Sequence, residues 1–287
     1  MTDPQAHYTA SPVDAKRRSE LSKRVLSSLA LASLALVSGW FGGVAFACVW
    51  GVAALIVLRE WMTIIGVDGG WTAPPFVVGA LGILTSIMVL FLPVPSALLA
   101  FGPAVLAGLI LVFWLPKSGI SWLWNGFGPL YAASIIVGPL ALRSRTSDGL
   151  VILIWLFLVV WISDIGAFFV GRTLGGPKLW PSISPKKTWS GSVGGLVAGT
   201  VVSVGFVLAV QAIFGPVWLT GWSLVMLSLS TAVVAEAGDL FESAMKRRFG
   251  VKDSGAIIPG HGGMMDRLDS YCAAALYVFL IGTLLGI

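Results

Sequence analysis

Four stretches in the C-terminal half hold residue types that can do chemistry. The richest runs from Ser243 to Asp269 and contains Lys246, Arg247, Arg248, Lys252 and Arg267, the acids Asp253, Asp266 and Asp269, and His261, with Gly260, Gly262 and Gly263 between them. Glycine takes backbone conformations closed to other residues, so this segment can wrap tightly around a ligand. A patch that only fixes orientation in a membrane needs cations alone, and this one carries both signs. Just upstream, Glu236, Asp239 and Glu242 recur every third residue, which sets them along one side of a helix. Like charges so placed repel unless cations stand between them, and clustered carboxylates suit Mg²⁺, a hard ion that takes oxygen ligands. The competing explanation pairs Glu242 with Lys246, four residues on, and with Arg247, leaving Glu236 and Asp239 without partners. A third stretch, Ser184-Pro185-Lys186-Lys187-Thr188, leads through Trp189, Ser190 and Gly191 to Gly194 and Gly195. Two lysines and hydroxyls at a helix N-terminus suit an anionic phosphate, because the free N–H groups and the helix dipole add to the ammonium charge. The same residues also suit anionic lipid head groups, and there is no Walker loop. The fourth is Ser163-Asp164 through Gly171-Arg172. An Asp within an apolar helix costs about 2.5–3.5 kcal/mol to insert, so Asp164 is a functional candidate unless it simply pairs with Arg172.

These groups must be positioned by elements that lie in lipid. Of 287 residues, 57% are hydrophobic and 11% charged, with mean hydropathy +0.92, whereas a soluble domain carries about 25% charged residues. An ordinary water-soluble globule is excluded. The two cysteines, Cys48 and Cys272, sit in apolar runs, so neither a disulfide framework nor a thiolate metal site is indicated. A span needs about 20 apolar residues. Runs at 25–41, 44–58, 76–92, 96–115, 120–142, 149–171, 192–214, 222–238 and 271–287 approach or meet that length. The expectation is an all-α polytopic transmembrane bundle of about nine spans. The run at 44–58 is the least secure, with a re-entrant hairpin as its alternative. Residues 1–24 read as a disordered cytoplasmic tail, 25–142 as an N-terminal scaffold and 143–287 as the catalytic region. The cations Lys16, Arg17, Arg18, Lys23 and Arg24 before the first span hold the N-terminus in the cytoplasm. Nine crossings then place Arg59, Lys117, Arg172, Lys178, Lys186, Lys187, Lys246, Arg247, Arg248, Lys252 and Arg267 on the same side, leaving only Arg143 and Arg145 outside. No internal repeat of the transporter kind is visible.

In the segment from Ser243 to Asp269 the chain resembles the phosphatidate cytidylyltransferases, or CDP-diacylglycerol synthases. Their signature S-x-[apolar]-K-R-x4-K-D-x-[small]-x2-[apolar]-P-x-H-G-G-[apolar]-x-D-R-[apolar]-D is met without a gap by Ser243, Lys246, Arg247, Lys252, Asp253, Gly255, Pro259, His261, Gly262, Gly263, Asp266, Arg267 and Asp269. Shorter family stretches appear at Asp164 to Arg172, Ser184 to Thr188 and Gly238 to Ser243, whereas the first 140 residues resemble the family only in being apolar. One departure is Ser190, where many members carry an acid. The resemblance implies that CTP and phosphatidate give CDP-diacylglycerol and pyrophosphate with Mg²⁺, at a bacterial-type inner membrane with the site facing the cytoplasm. A lipid phosphate is already ionised at neutral pH, so the absence of a protein nucleophile fits; the reaction needs positioning and charge neutralisation. On that basis Asp239 and Asp266 are expected as the principal Mg²⁺ ligands, with Glu236, Glu242 and Asp269 secondary. Lys186, Lys187, Lys246, Arg247, Lys252 and Arg267 are expected on phosphates. His261 is expected to donate to a phosphate, and Asp164, Ser184, Thr188, Gly262 and Gly263 to line the substrate. Membrane lipid is a partner, nucleic acid is not, and a homodimer is left open. Two other functions remain: a CTP-dependent polyprenol or phytol kinase, which would release CDP, and a cation-coupled transporter using Asp164, Glu236 and Asp239 as relay groups.

Overall fold

A computed structural model describes residues 12–67, 70–91, 97–114, 121–145, 148–217 and 219–285. Ten helices account for nearly all of it: α1 (Pro12–Phe41), α2 (Gly43–Ile64), α3 (Pro74–Leu90), α4 (Gly102–Trp114), α5 (Ser121–Ser134), α6 (Val137–Arg145), α7 (Gly149–Leu174), α8 (Trp189–Phe214), α9 (Gly221–Arg248) and α10 (Met265–Leu285). Among the described residues the β-strands form one antiparallel hairpin, β1 (Lys178–Trp180) with β2 (Ser184–Thr188), between α7 and α8. The all-α reading therefore holds, with a hairpin that hydropathy could not show.

Among the described residues seven helices are long and apolar enough to cross a membrane, α5 and α6 together supplying one of them. The apolar runs at 76–92 and 96–115 correspond to shorter helices, Pro74–Leu90 and Leu98–Trp114, so the nine expected spans resolve into seven full-length ones and two short ones. Removing two crossings preserves parity, so the sidedness of every later loop is the same for either count. The second run, least secure in the sequence, extends through Arg59 and Glu60 to Ile64 and reaches 22 residues. A charged pair at its end had hidden the last turn. The first helix begins at Pro12, so the segment expected to be tail is helical from there; residues 1–11, Lys117 and the side chain of Arg145 lie outside the described residues.

Contacts between the helices fix which ends lie together. Ser27 and Ser28, in the middle of α1 and near the start of its apolar part Ser22–Phe41, touch His261 between α9 and α10, and Glu60 near the end of α2 binds the same loop. At the opposite end Arg143 of α6 donates to the carbonyls of Gly39 and Trp40, where α1 finishes. The clustered cations after α7 and α9 thus share one end of the bundle with the start of the apolar part of α1, in the arrangement expected from charge placement.

In the middle of the bundle, Trp50 stacks on Phe157, and Phe157 on Trp161 and Tyr271, joining α2, α7 and α10. The buried Trp155 indole donates to Ser228 Oγ at 2.9 Å and ties α7 to α9. The closest helix pair is α7 with α8. Gly191, Gly195 and Gly199 recur every fourth residue and meet Ala167, Ser163 and Val159, also spaced by four. A Cβ on Gly191 would lie 2.7 Å from the Ala167 carbonyl oxygen and one on Gly195 2.6 Å from that of Ser163. Small residues let two backbones approach where lipid gives no hydrophobic incentive to associate. This brings the chemistry-bearing ends of α7 and α8 against each other.

Candidate active site

A cavity of about 790 Å³ opens where α7, the hairpin, α8, α9 and α10 converge. Its polar wall combines six carboxylates, Asp164, Glu236, Asp239, Asp253, Asp266 and Asp269, with six cations, Arg172, Lys178, Lys186, Lys187, Lys246 and Arg267.

Each element supplies its groups for a local reason. The hairpin pairs Lys178 with Thr188 and Trp180 with Ser184, which carries Lys186 and Lys187 over the cavity. Thr188 then caps α8: its hydroxyl accepts from Gly191 N–H at 3.1 Å, satisfying a free donor of the first turn. Ser190 Oγ donates to the Gly175 carbonyl and joins the exit of α7 to this cap. Lys187 Nζ reaches Asp239 Oδ2 at 2.6 Å, and Ser243 Oγ donates to the other carboxylate oxygen of Asp239 at 3.3 Å. Ser192, one turn into α8, donates to Glu236 at 2.5 Å.

The three acids of α9 meet three different partners. With 3.6 residues per turn, each step of three residues rotates a side chain backward by about 60°. Glu236 accordingly faces α8, Asp239 faces the hairpin, and Glu242 turns inward, where it is fully buried with its Oε2 2.6 Å from Lys246 Nζ. Glu242 does not line the cavity, so its expected place among the metal ligands gives way to the ion pair that the i, i+4 spacing also allowed.

Lys246 and Asp266 differ in the same way from what the resemblance implied. Lys246 is 8% exposed and held at 2.6 Å by both Glu242 and Asp266. Its charge is committed to two carboxylates rather than free for a phosphate. Asp266 accepts from Lys246, from Ser254 N–H at 3.0 Å and from Gly263 N–H at 2.8 Å. It reaches the cavity wall with most of its acceptor capacity used in closing the loop onto α10. Gly262, with φ +87°, lies where a Cβ would meet Asp266 Oδ2 at 2.7 Å, which explains that glycine as a packing requirement.

Asp269, one turn further along α10, accepts from its own neighbour Ser270 N–H and lies within electrostatic range of Asp239, Glu242 and Asp164. Asp164 in turn feels Asp239, Lys187, Glu236 and Arg267. Asp164, Asp239 and Asp269 therefore face one another from three helices. Among the described residues no three acid, His or Cys groups are gathered closely enough to enclose a metal by themselves.

Of the residues expected at the site, Asp164, Lys186, Lys187, Thr188, Glu236, Asp239, Lys246, Asp266, Arg267 and Asp269 line the cavity, and Ser184, Glu242, Arg247, Lys252, His261, Gly262 and Gly263 do not. Arg247 donates to the Val251 carbonyl at 3.0 Å and closes the turn after α9. The His261 ring contacts Ser27 Oγ at 2.8 Å and Ser28 Oγ at 3.2 Å. Both of its nitrogens are occupied by α1 rather than aimed at a phosphate. Burial at this contact, reinforced by Arg267 and Arg24, pushes its pKa below the ordinary imidazole value.

Sequence reasoning missed Arg172 and Lys178 as cavity cations, Ser192 as the partner of Glu236, and Glu60. That acid is 7% exposed and accepts from Ser254 Oγ at 3.0 Å, Met264 N–H at 2.9 Å and Met265 N–H at 2.7 Å. The available signal was an acid at the end of an apolar run, masked by the adjacent Arg59.

A model of the cytidylyltransferase family matches residues 22–285 of this chain. Phosphatidate cytidylyltransferases of Brucella suis biovar 1 (strain 1330) and Brucella abortus (strain 2308) are each 36% identical to it over 266 residues, covering 93% of this chain and 94% of the relative. That of Staphylococcus haemolyticus (strain JCSC1435) is 41% identical over 157 residues, 55% of this chain and 58% of the relative.

Proposed function

Since the chain belongs to the cytidylyltransferase family, we propose that the cavity between α7, α8, α9 and α10 is where it performs its reaction. CTP and phosphatidate are converted there to CDP-diacylglycerol and pyrophosphate. The bundle is an integral membrane protein, and the reading places the cavity at the cytoplasmic face of a bacterial inner membrane. The excess of cations at that end supports this side.

The observation that carries the proposal is the composition of the cavity wall. Six acids and six cations balance one another, so a triphosphate and a lipid phosphate brought together there need further positive charge. The acids offer hard oxygen donors, and no three of them form a closed cage among the described residues. Mg²⁺ fits such a wall, because it is held by one or two carboxylates while keeping water and phosphate oxygens. Asp239 and Asp269 would hold it, with Asp164 beside them. Asp266 is already engaged by Lys246 and two backbone amides. When bound, the ion would neutralise charge on the α-phosphate and the departing pyrophosphate.

The chain's own residues supply the rest. Lys187, Lys186, Arg172 and Lys178 meet the triphosphate from the hairpin and the end of α7. The Lys187–Asp239 pair is exposed enough to exchange partners when phosphate arrives. Arg267, tied to the loop through the His261 carbonyl at 3.2 Å, offers its remaining donors to the lipid phosphate. A phosphatidate oxygen attacks the α-phosphorus while the bond to the β-phosphate oxygen breaks, and pyrophosphate leaves. The nucleophile is already ionised, so no residue has to remove a proton. His261, facing α1, is consistent with a reaction that needs no base.

Purified protein given CTP labelled at the α-phosphate, with phosphatidate in mixed micelles, should transfer label to lipid in an EDTA-sensitive, Mg²⁺-restored manner. With a polyprenol or phytol included in the same micelles, label confined to soluble CDP and a phosphorylated alcohol would instead identify a lipid-alcohol kinase and overturn the reading.

A further inference from the structure

We propose that Glu60, in the N-terminal half of the chain, is the positioning residue that sets the loop after α9 and the first turn of α10 into their working geometry. The proposal rests on the reading that Arg267 and Asp269 act in the cavity.

Glu60 arrives from α2, 194 to 205 positions away in sequence from the groups it binds. Its Oε1 accepts the Met264 amide and its Oε2 accepts both the Met265 amide and the Ser254 hydroxyl. Met265 opens α10, so Glu60 satisfies free N–H groups of that helix from another element and brings an anion to the positive end of its dipole. The loop backbone is shaped to the carboxylate. A Cβ on Gly255 would stand 2.8 Å from Glu60 Oε1, and one on Gly263 2.7 Å from either oxygen. These two glycines therefore let the main chain close over an acid.

Asp266 grips the same loop from the other side. Its carboxylate takes the Ser254 and Gly263 amides, while Glu60 takes the Ser254 hydroxyl and the next two amides. Ser254 is thus clamped between the two acids. With both in place, the first turn of α10 has one rotation, and that rotation presents Arg267 and Asp269 to the cavity. A misplacement of about 1 Å at a reacting centre can cost on the order of 100-fold in rate. The sequence grouped residues 25–142 as scaffold; Glu60 makes that scaffold part of the active geometry without touching substrate.

Glu60→Gln keeps size and shape but puts an amide N–H₂ against at least one loop donor. In the full-length protein in detergent, amide exchange at Met264 and Met265 should accelerate at least tenfold. Below the melting temperature, kcat should fall on the order of 100-fold while KM for CTP changes less than threefold. Ser254→Ala, which removes one of the three bonds, should show a smaller loss in the same direction and serves if Glu60→Gln does not fold. Unchanged exchange at Met264 and Met265 overturns the clamp. Faster exchange with kcat unchanged overturns the positioning role. The exchange measurement needs no turnover, so it judges the clamp even if wild-type protein puts no label into lipid, a result that would refute the proposed reaction instead.

Discussion

Two lysines at the same distance from their acids should behave in opposite ways. Lys187 and Lys246 each place Nζ 2.6 Å from a carboxylate oxygen, but the side chains of Lys187 and Asp239 are both 25% exposed, whereas Lys246, Glu242 and Asp266 are 10%, 0% and 7% exposed. A pair open to solvent contributes about 0.2–1 kcal/mol. Removing one member of a buried pair costs about 3–5 kcal/mol, because the remaining charge has no solvent to turn to, and Lys246→Met strands two. For a protein of this size 1 kcal/mol corresponds to roughly 2–4 °C in melting temperature. Lys246→Met should therefore melt on the order of 10 °C below wild type, and Lys187→Met within about 3 °C of it. Activity should order them the other way: Lys187→Met should raise KM for CTP in an intact protein. Tryptophan fluorescence melts in detergent, with labelled-CTP kinetics on the same preparations, measure both quantities. Lys246→Met combined with Glu242→Gln should recover part of the lost stability, since one stranded charge is gone. Equal melting shifts for the two lysine variants would refute the reasoning, because burial rather than distance is what separates them.

Asp239→Asn should abolish turnover and leave the melt near wild type, while Asp266→Asn should lose both turnover and stability, having given up Lys246 and two loop amides; matching melts for the two variants would count against the different roles assigned to them. Gly195→Ala should destabilise by about 1–3 kcal/mol through overpacking against the Ser163 carbonyl, whereas Gly205→Ala, where a Cβ meets nothing within 4 Å, should be neutral or better; the test is the pair of melting temperatures. His261 has its pKa lowered by burial and by nearby cations, so the folded state binds fewer protons than the unfolded one below the ordinary imidazole value of about 6.5. The stability of its contact with α1 should be complete above that pH and decline as pH falls through the lowered value. His261→Gln should flatten this part of the melting-temperature profile, and superimposable profiles would contradict it.

How far the sequence could be read depended on the range of the interaction involved. Asp164, Asp239 and Asp269 were legible because a charged group in an apolar helix is costly unless it is used, and Lys187 because a pair of lysines stands just before the start of a helix. Short-range partners were legible too: Glu242 and Lys246 stand four apart, and the pairing alternative raised by that spacing is the one the fold adopts. Partners distant in sequence were not. Ser192 finds Glu236 across 44 positions, and the His261 ring is held by two hydroxyls of α1, more than 230 positions earlier.

Composition and spacing alone determined that this is a helical bundle in lipid with its reactive groups crowded at one end, since hydrocarbon admits few other solutions for an unpaired backbone. Only the packed structure decided which charges are available to a ligand. Glu242, Lys246 and Asp266 are buried against one another, and Asp266 against the loop, whereas the Lys187–Asp239 pair stays open to the cavity beside Asp269. The reason is that a side chain's freedom depends on what lies across from it. Helix rotation and the approach of distant elements such as Glu60 set that, and neither is written in the local order of residues.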